Sequence, residues 1–372
     1  MRELSAGFIG LGLIGGSIAR GIKLNSTLNE GAVFVNIKAF NRSRESLYAA
    51  KEAGIVDDVI EELDEEGLKA IGSCDYVFLC APVRTNNEYL EKIKPYLSEE
   101  TIVTDVGSVK GPIHKKAAEL GIENKVIGGH PMAGSEKTGF LNSKDSLLEN
   151  AYYILTPGRG VDERRIEELK AIVTSLKAIP IIVPCEKHDR ITAAVSHLPH
   201  VIAASLVNLV KEEDTDGMMK RIAAGGFKDI TRISSSSPEM WQSICMTNRD
   251  NILKLLDDYE DMLIRARSIV ENEDDESIYR FFENAKNYRD SFIDVGSGPI
   301  KKSFVLSLDV KDESGVIART ATVLADRDIN IKNMGIVHNR ESGEGALKVA
   351  FYDEASLEQA REVLLSNGFT IV

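Results

Sequence analysis

The segment Gly128–Gly139, GGHPMAGSEKTG, sets His130, the hydroxyls of Ser135 and Thr138, and the neighbours Glu136 and Lys137 among four glycines and a proline. So few apolar residues cannot build a core. The glycines let the backbone approach a bound molecule closely, and the polar groups are of the kind that move protons and hold small anions. Upstream, Gly10-Leu11-Gly12-Leu13-Ile14-Gly15 is GxGxxG after a strand-like run and at the start of a helical one. In that context Gly10 permits a tight turn, Gly12 lets backbone reach a diphosphate, and Gly15 allows close packing of helix on strand. The diphosphate would sit on the helix N-terminus, where unpaired N–H groups and the helix dipole favour negative charge. The two segments together suggest a cleft with a dinucleotide on one side and His130 on the other.

The second strand ends in Asn41-Arg42-Ser43-Arg44. Sites that prefer NAD usually carry an acidic residue here for the ribose hydroxyls. Arg42 and Arg44 would instead attract a 2′-phosphate, so the cofactor is NADP or NAD with a lean towards NADP. In the opposing reading the arginines only begin a solvated helix and Asn41 binds a ribose hydroxyl of NAD.

These residues need a scaffold, and the pattern supplies one. Strand-like runs at 7–10, 33–40, 76–80, 102–105, 126–129, 152–156 and 180–184 alternate with amphipathic helical stretches. That predicts an α/β, Rossmann-like dinucleotide-binding domain over 1–185, with a mostly parallel sheet covered on both faces. Its binding crevice lies outside the carboxyl ends of the strands. Gly10–Gly15, Asn41–Arg44, Ala81–Val83, Gly107–Lys110 and His130 all fall there. Residues 186–295 read as an all-helical dimerisation and substrate domain, because a helical block of this kind often completes its core against a second subunit. Residues 294–302 are a linker by composition, and 302–372 read as a small βαββαβ domain.

Composition narrows the class. The chain has 372 residues, 43% hydrophobic and 28% charged, with a net charge of −13. That charge argues against nucleic-acid binding, which needs a basic footprint. Residues 191–210 are strongly apolar but contain His197, Pro199, His200 and Asn208, which suits a buried helix better than a membrane span. No secretory signal pattern opens the chain, and the four cysteines lack metal-type spacing. The expectation is a cytoplasmic protein with no metal and no membrane partner.

Further polar clusters follow at Ser196-His197-Leu198-Pro199-His200, at Gly225–Ile233 (GGFKDITRI) and at Pro238-Glu239-Met240-Trp241. With GxGxxG, DVGSVK at 105–110 and GGHPMAGSEKTG, they occur in an order that resembles the prephenate dehydrogenases over roughly 1–295. The C-terminal piece resembles an ACT domain, an amino-acid-binding regulatory module, through 312–317 (DESGVI) and 328–331 (DINI). The resemblance implies oxidative decarboxylation of prephenate to 4-hydroxyphenylpyruvate with hydride transfer to NAD(P), in tyrosine biosynthesis.

It also implies roles. His130 would accept the hydroxyl proton, with Ser108 and Ser135 orienting the hydroxyl and the imidazole. Arg232 would hold a substrate carboxylate, helped by Lys228; His200 would bind substrate and Glu136 would gate the pocket. His197 reads as core packing, and Trp241 as core packing ahead of lining the pocket. The expected nucleotide contacts are Gly10, Gly12, Leu13, Ile14, Gly15, Asn41, Arg42, Ser43, Arg44, Ala81, Pro82 and Ser108. Asp312, Gly315 and Asn330 would bind the regulatory ligand, tyrosine as feedback inhibitor, in a homodimer. The alternatives are an arogenate or dual-specificity cyclohexadienyl dehydrogenase, and a non-enzymatic NAD(P)-binding sensor.

Overall fold

The computed structural model describes residues 2–25, 32–134, 137–292, 304–311, 314–339 and 344–371. They form two units, Met1–Ser268 and Ile269–Val372. The first is built on eight strands: β1 (Arg2–Ile9), β2 (Ala32–Phe40), β3 (Asp58–Ile60), β4 (Tyr76–Leu79), β5 (Ile102–Asp105), β6 (Val126–Pro131), β7 (Tyr152–Pro157) and β8 (Ile179–Ile182). Their order is β3-β2-β1-β4-β5-β6-β7-β8. The direction of winding reverses between β1 and β4, which pair in parallel, and the crevice opens at that switch point.

β4 and β5 are buried at every residue, as expected of parallel strands covered by helices on both faces. Phe8 and Phe78 stack across the β1–β4 pair at 4.7 Å. The helices Leu13–Leu24 and Glu163–Ser175 add Ile18, Ile22, Leu169 and Ile172 to the same core.

β7 runs antiparallel to β6. A parallel return needs a crossover, usually a helix, whereas the described residues between 132 and 151 supply only the short 3₁₀ turns Phe140–Asn142 and Asp145–Leu148. Met132 N–H donates to the Tyr152 carbonyl at 2.7 Å, closing the pair where the chain doubles back.

After β8 the chain is helical. Cys185–Thr192 runs through a π-helical turn, Ala193–His197, into Leu198–Glu213. The expectation of a buried helix at 191–210 is corrected here. His197, Thr192, Ala193 and Ala203 are buried, but Val195 is 65% exposed and Leu209 56%. Within the single chain much of the helix's apolar face is uncovered, as fits a helical block that completes its core against a second subunit. Cys185–Glu213 is also the one helix among the described residues that is long and apolar enough to cross a membrane, a test that the core helix of a soluble protein passes as well. Met218–Ile222, Gly225–Thr231, Pro238–Thr247 and Arg249–Glu271 follow. The boundary between the two units falls inside the last of these helices, so the expected helical block 186–295 is shared between them.

The second unit contains the helix Asp275–Ser291 and then β9 (Phe304–Lys311), the helix Val316–Ala325, β10 (Asn333–Asn339), β11 (Glu344–Phe351), the helix Glu354–Ser366 and β12 (Thr370–Ile371). The sheet is antiparallel in the order β10-β11-β9-β12. Leu306, Leu308, Leu324, Leu347, Val349 and Leu364 form its core. The expected linker 294–302 lies outside the described residues.

Candidate active site

The turn after β1 fits a dinucleotide diphosphate. Gly10 has φ +100°, and a Cβ there would lie 2.9 Å from the Cys80 carbonyl group. A Cβ on Gly15 would lie 2.4 Å from the Gly10 oxygen, so helix and turn touch through backbone. A Cβ on Gly12 would meet nothing within 4 Å. That open space faces the start of the helix Leu13–Leu24, whose cap Gly12 makes no side-chain bond. Two glycines are thus required by protein packing and one leaves room for something else. Asn86, buried, holds the neighbouring loop: its amide oxygen accepts from Ala81 N–H at 3.0 Å and its Nδ2 donates to the Leu79 carbonyl at 3.1 Å.

At the end of β2, Asn41 Oδ1 accepts from Leu11 N–H at 3.0 Å and ties the two loops together. Ser43 caps the helix Arg44–Glu52, accepting from Ser46 N–H. Arg44 faces Glu61 at 3.5 Å and Glu62 at 3.8 Å. Arg42 makes no ion pair among the described residues, and is exposed.

His130 sits on β6, half-buried. Its Nδ1 lies 2.8 Å from His188 Nε2. His188, fully buried, has its Nδ1 2.7 Å from Asp189 Oδ1. Asp189 closes the chain at the N-terminus of the helix Gly111–Leu120: Oδ1 accepts from Lys110 N–H and Oδ2 from Gly111 N–H, each at 2.7 Å. Burial raises the Asp189 pKa, but the bonds from His188 and from these two amides outweigh it and hold the carboxyl below its ordinary value. Burial, then the Lys110 charge and the nearby His188 and His197, push His130 well below the ordinary imidazole value. His130 is therefore neutral near pH 7.

Beneath His130 lies a buried ion pair. Lys110 Nζ reaches both Asp105 oxygens at 2.5 Å and the Gly129 carbonyl at 2.6 Å. The Lys110 side chain is 0% exposed and that of Asp105 1%. Gly129 N–H returns to Asp105 Oδ1 at 3.2 Å and Gly107 N–H to Oδ2 at 2.9 Å. The pair fastens the ends of β5 and β6 together, and so fixes the backbone on which Ser108 and His130 stand.

The helical layer supplies the remaining groups. His197 is buried; its Nδ1 accepts from Asn248 Nδ2 at 3.1 Å, and burial lowers its pKa to about 4. His200 donates Nδ1–H to the Ser196 carbonyl at 2.9 Å, which leaves Nε2 as an acceptor. The His200 ring stacks on Trp241 at 3.8 Å, and its pKa is lowered by burial and by the charge of Arg232. His200 and Trp241 line a mostly apolar cavity of about 490 Å³. Arg232 and Lys228 are exposed in the single chain. Trp241, expected in the helical core, instead forms a wall of that cavity.

Of the expected residues, the nucleotide loops gather at the ends of β1, β2 and β4, and Ser108 stands between β5 and the helix Gly111–Leu120. Ser135 and Glu136 lie outside the described residues. Downstream of them the segment is pinned to the nucleotide helix: Arg20 Nε donates to Ser143 Oγ at 2.9 Å, and Lys144 N–H to Ser17 Oγ at 3.1 Å. In the second unit Gly315, at φ +92°, caps the helix Val316–Ala325, and Asn330 is exposed in the loop before β10. Asp312 lies outside the described residues. Sequence reasoning missed His188, Asp189 and the buried state of Lys110.

Two family models match the chain: the prephenate dehydrogenase nucleotide-binding domain over 25–182 and the prephenate dehydrogenase dimerization domain over 184–284. The chain is 37% identical to a prephenate dehydrogenase of Bacillus subtilis, over 95% of this chain and 94% of that one. Among solved structures it is similar to an Aquifex aeolicus prephenate dehydrogenase in complex with hydroxyphenyl propionate and NAD+, at 31% identity and TM-score 0.70, covering 78% of this chain and 98% of that one. An arogenate dehydrogenase of Synechocystis matches at 29% identity and TM-score 0.69, covering 78% and 100%.

Proposed function

Because this chain belongs to the prephenate dehydrogenase family, we propose that His130 takes the ring hydroxyl's proton as prephenate is oxidised and decarboxylated to 4-hydroxyphenylpyruvate. The nucleotide, when bound, supplies the hydride acceptor. The observation that carries the reading is a neutral imidazole at the end of β6. Its Nδ1 is engaged inward by His188, and its Nε2 has no partner among the described residues.

The other residues bind and orient. Gly12 and the helix start at Leu13 and Ile14 hold the diphosphate, with Gly10 and Gly15 keeping that surface flat. Ala81, Pro82 and Ser108 border the nicotinamide end. His200 presents Nε2 to the substrate beside Trp241, and Arg232 binds the carboxylate that stays, with Lys228 assisting. Ser108 and Ser135 orient the hydroxyl, and Glu136 closes the pocket. The test is turnover of prephenate with NAD(P). His130→Asn should leave nucleotide binding within about threefold and cut kcat by roughly 10²–10⁴-fold. Near-normal turnover by this variant would remove His130 from the role.

Cofactor choice rests on Arg42. Arg44 already faces Glu61 and Glu62, carboxylates that would also repel a 2′-phosphate. This narrows the lean towards NADP to one guanidinium and supports NAD as an acceptor as well; the ratio of kcat/KM with the two cofactors, in wild type and Arg42→Ala, decides. Arogenate is the second reading, favoured by the likeness to an arogenate dehydrogenase; assays with both substrates separate them.

The dimerization-domain match and the exposed Val195, Leu209, Leu263 and Ile264 support a homodimer, to be checked by light scattering. The functional division is 1–185, 186–295 and 302–372, in a cytoplasmic biosynthetic enzyme. The βαββαβ sheet of 304–371 supports an ACT-like regulatory role, with tyrosine at Asp312, Gly315 and Asn330. Deleting residues 300–372 should abolish inhibition by tyrosine, and an unchanged inhibition curve would place the inhibitor elsewhere.

A further inference from the structure

We propose that Asp189, acting through His188, sets the tautomer of His130 and so decides whether its Nε2 is able to accept a proton. The inference rests on the reading of His130 as the base. The argument is one of hydrogen-bond direction. An ionised carboxylate only accepts. Asp189 is already bonded by the amides of Lys110 and Gly111, which fix it as the charged acceptor at a helix N-terminus. His188 Nδ1, 2.7 Å away, must therefore carry the hydrogen.

With a single N–H on His188, as in a neutral imidazole, that hydrogen lies on Nδ1 and Nε2 is bare. The 2.8 Å contact between His188 Nε2 and His130 Nδ1 then requires His130 to donate from Nδ1. Its own single hydrogen is spent there, and Nε2 is left with a lone pair. When His130 takes the substrate proton it becomes an imidazolium whose Nδ1–H already points along the path to the Asp189 carboxylate. His188 and Asp189 are positioning residues: neither is needed to touch the substrate.

Asp189→Asn reverses the sequence. The amide oxygen keeps the bond from Gly111 N–H, and the NH₂ in the place of Oδ1 donates to His188 Nδ1 at the cost of the bond from Lys110 N–H. His188 then carries its hydrogen on Nε2 and donates to His130 Nδ1, and His130 holds its hydrogen on Nε2. His130 keeps its place on β6 while one cap bond to the helix Gly111–Leu120 is given up, and the base is lost.

The test is nitrogen NMR of histidine-labelled full-length protein without substrate, where the chain's six histidines are few enough to resolve. His130→Asn and His188→Gln spectra assign the signals. The expected result is a protonated Nδ1 and a bare Nε2 on both His130 and His188 at neutral pH. Asp189→Asn should exchange these assignments and lower kcat by about 10³–10⁴-fold, with KM and NAD(P) affinity changed less than about threefold. A wild-type His130 protonated at Nε2, a doubly protonated His188, or near-normal kcat in Asp189→Asn would each overturn the proposal. Should that variant fail to fold, the wild-type spectrum decides. Failure of the wild type to turn over prephenate would overturn the functional reading and leave the tautomer result standing.

Discussion

Replacing Lys110 with methionine tests the buried pair that anchors the site. The substitution keeps an unbranched side chain, one atom shorter, and removes its charge. In the wild type Lys110 Nζ meets both Asp105 oxygens at 2.5 Å, with side chains 0% and 1% exposed. In the variant Asp105 keeps only the amides of Gly107 and Gly129, and the Gly129 carbonyl loses the ammonium. Removing one partner of a buried ion pair costs about 3–5 kcal/mol, because the remaining charge stays out of water uncompensated. Folded domains are stable by only about 5–15 kcal/mol, so the variant should fold with a Tm lower by roughly 6–10 °C.

Lys110→Met combined with Asp105→Leu should recover part of the loss, since an apolar pair leaves no orphaned charge. The same change has a kinetic signature. Lys110 is the largest cause after burial of the low proton affinity of His130. Without it the imidazole binds a proton more readily, and the acid limb of kcat/KM moves to higher pH. Urea unfolding monitored at Trp241 gives the first quantity and a pH–rate profile the second. A stability loss below about 1 kcal/mol, or a double variant less stable than the single, would refute the reasoning about burial.

Two glycine variants should separate packing from binding. Gly15→Ala places a Cβ 2.4 Å from the Gly10 oxygen and should destabilise by about 1–3 kcal/mol. Gly12→Ala meets no protein atom within 4 Å, so thermal unfolding should barely change while calorimetry shows NAD(P) affinity falling at least about tenfold, the equivalent of ~1.4 kcal/mol. Arg232→Gln should raise the KM for prephenate more than it lowers kcat; the reverse pattern would remove it from carboxylate binding. Stability should also fall with acid. His197 goes from the ordinary 6.5 to about 4 on folding, so the unfolded chain binds the proton first. The stability it contributes is complete above pH 6.5 and declines as pH drops towards 4, by up to roughly 3 kcal/mol. Urea midpoints measured across that range check this, and a flat profile would contradict the burial of His197.

Much of the site is legible in sequence because its chemistry is local. Gly10, Gly12 and Gly15 lie on one turn, and the polar, glycine-rich neighbourhood of His130 is continuous along the chain. His188 and Asp189 escape because their meaning is created by folding: the partner His130 is fifty-eight positions away, and CEKHDRIT reads as an ordinary charged helix start. The adjacent titratable pair in the first helix after β8 was the one available signal. Lys110 misleads for a different reason. Lysines are rarely buried without a partner, and Asp105, five residues earlier at the end of the expected strand, is visible as that partner only once the chain after β5 folds back so that Lys110 meets it beside β6. The apolar run at 191–210 marks a helix correctly, but whether its face is covered depends on chains beyond this one.

The Asp189 carboxylate is held by the amides of Lys110 and Gly111, and this bond crosses the border between the two matched regions, 25–182 and 184–284. The helical half supplies the charge; the nucleotide-binding half supplies the amides and the imidazole that the charge serves. On the proposed role of His130, neither half excised alone would carry a working base. If the proposed relay operates, docking of the two arms His130, and a motion that parts the helix Cys185–Thr192 from the sheet would switch the chemistry off while leaving every residue of the nucleotide turn in place.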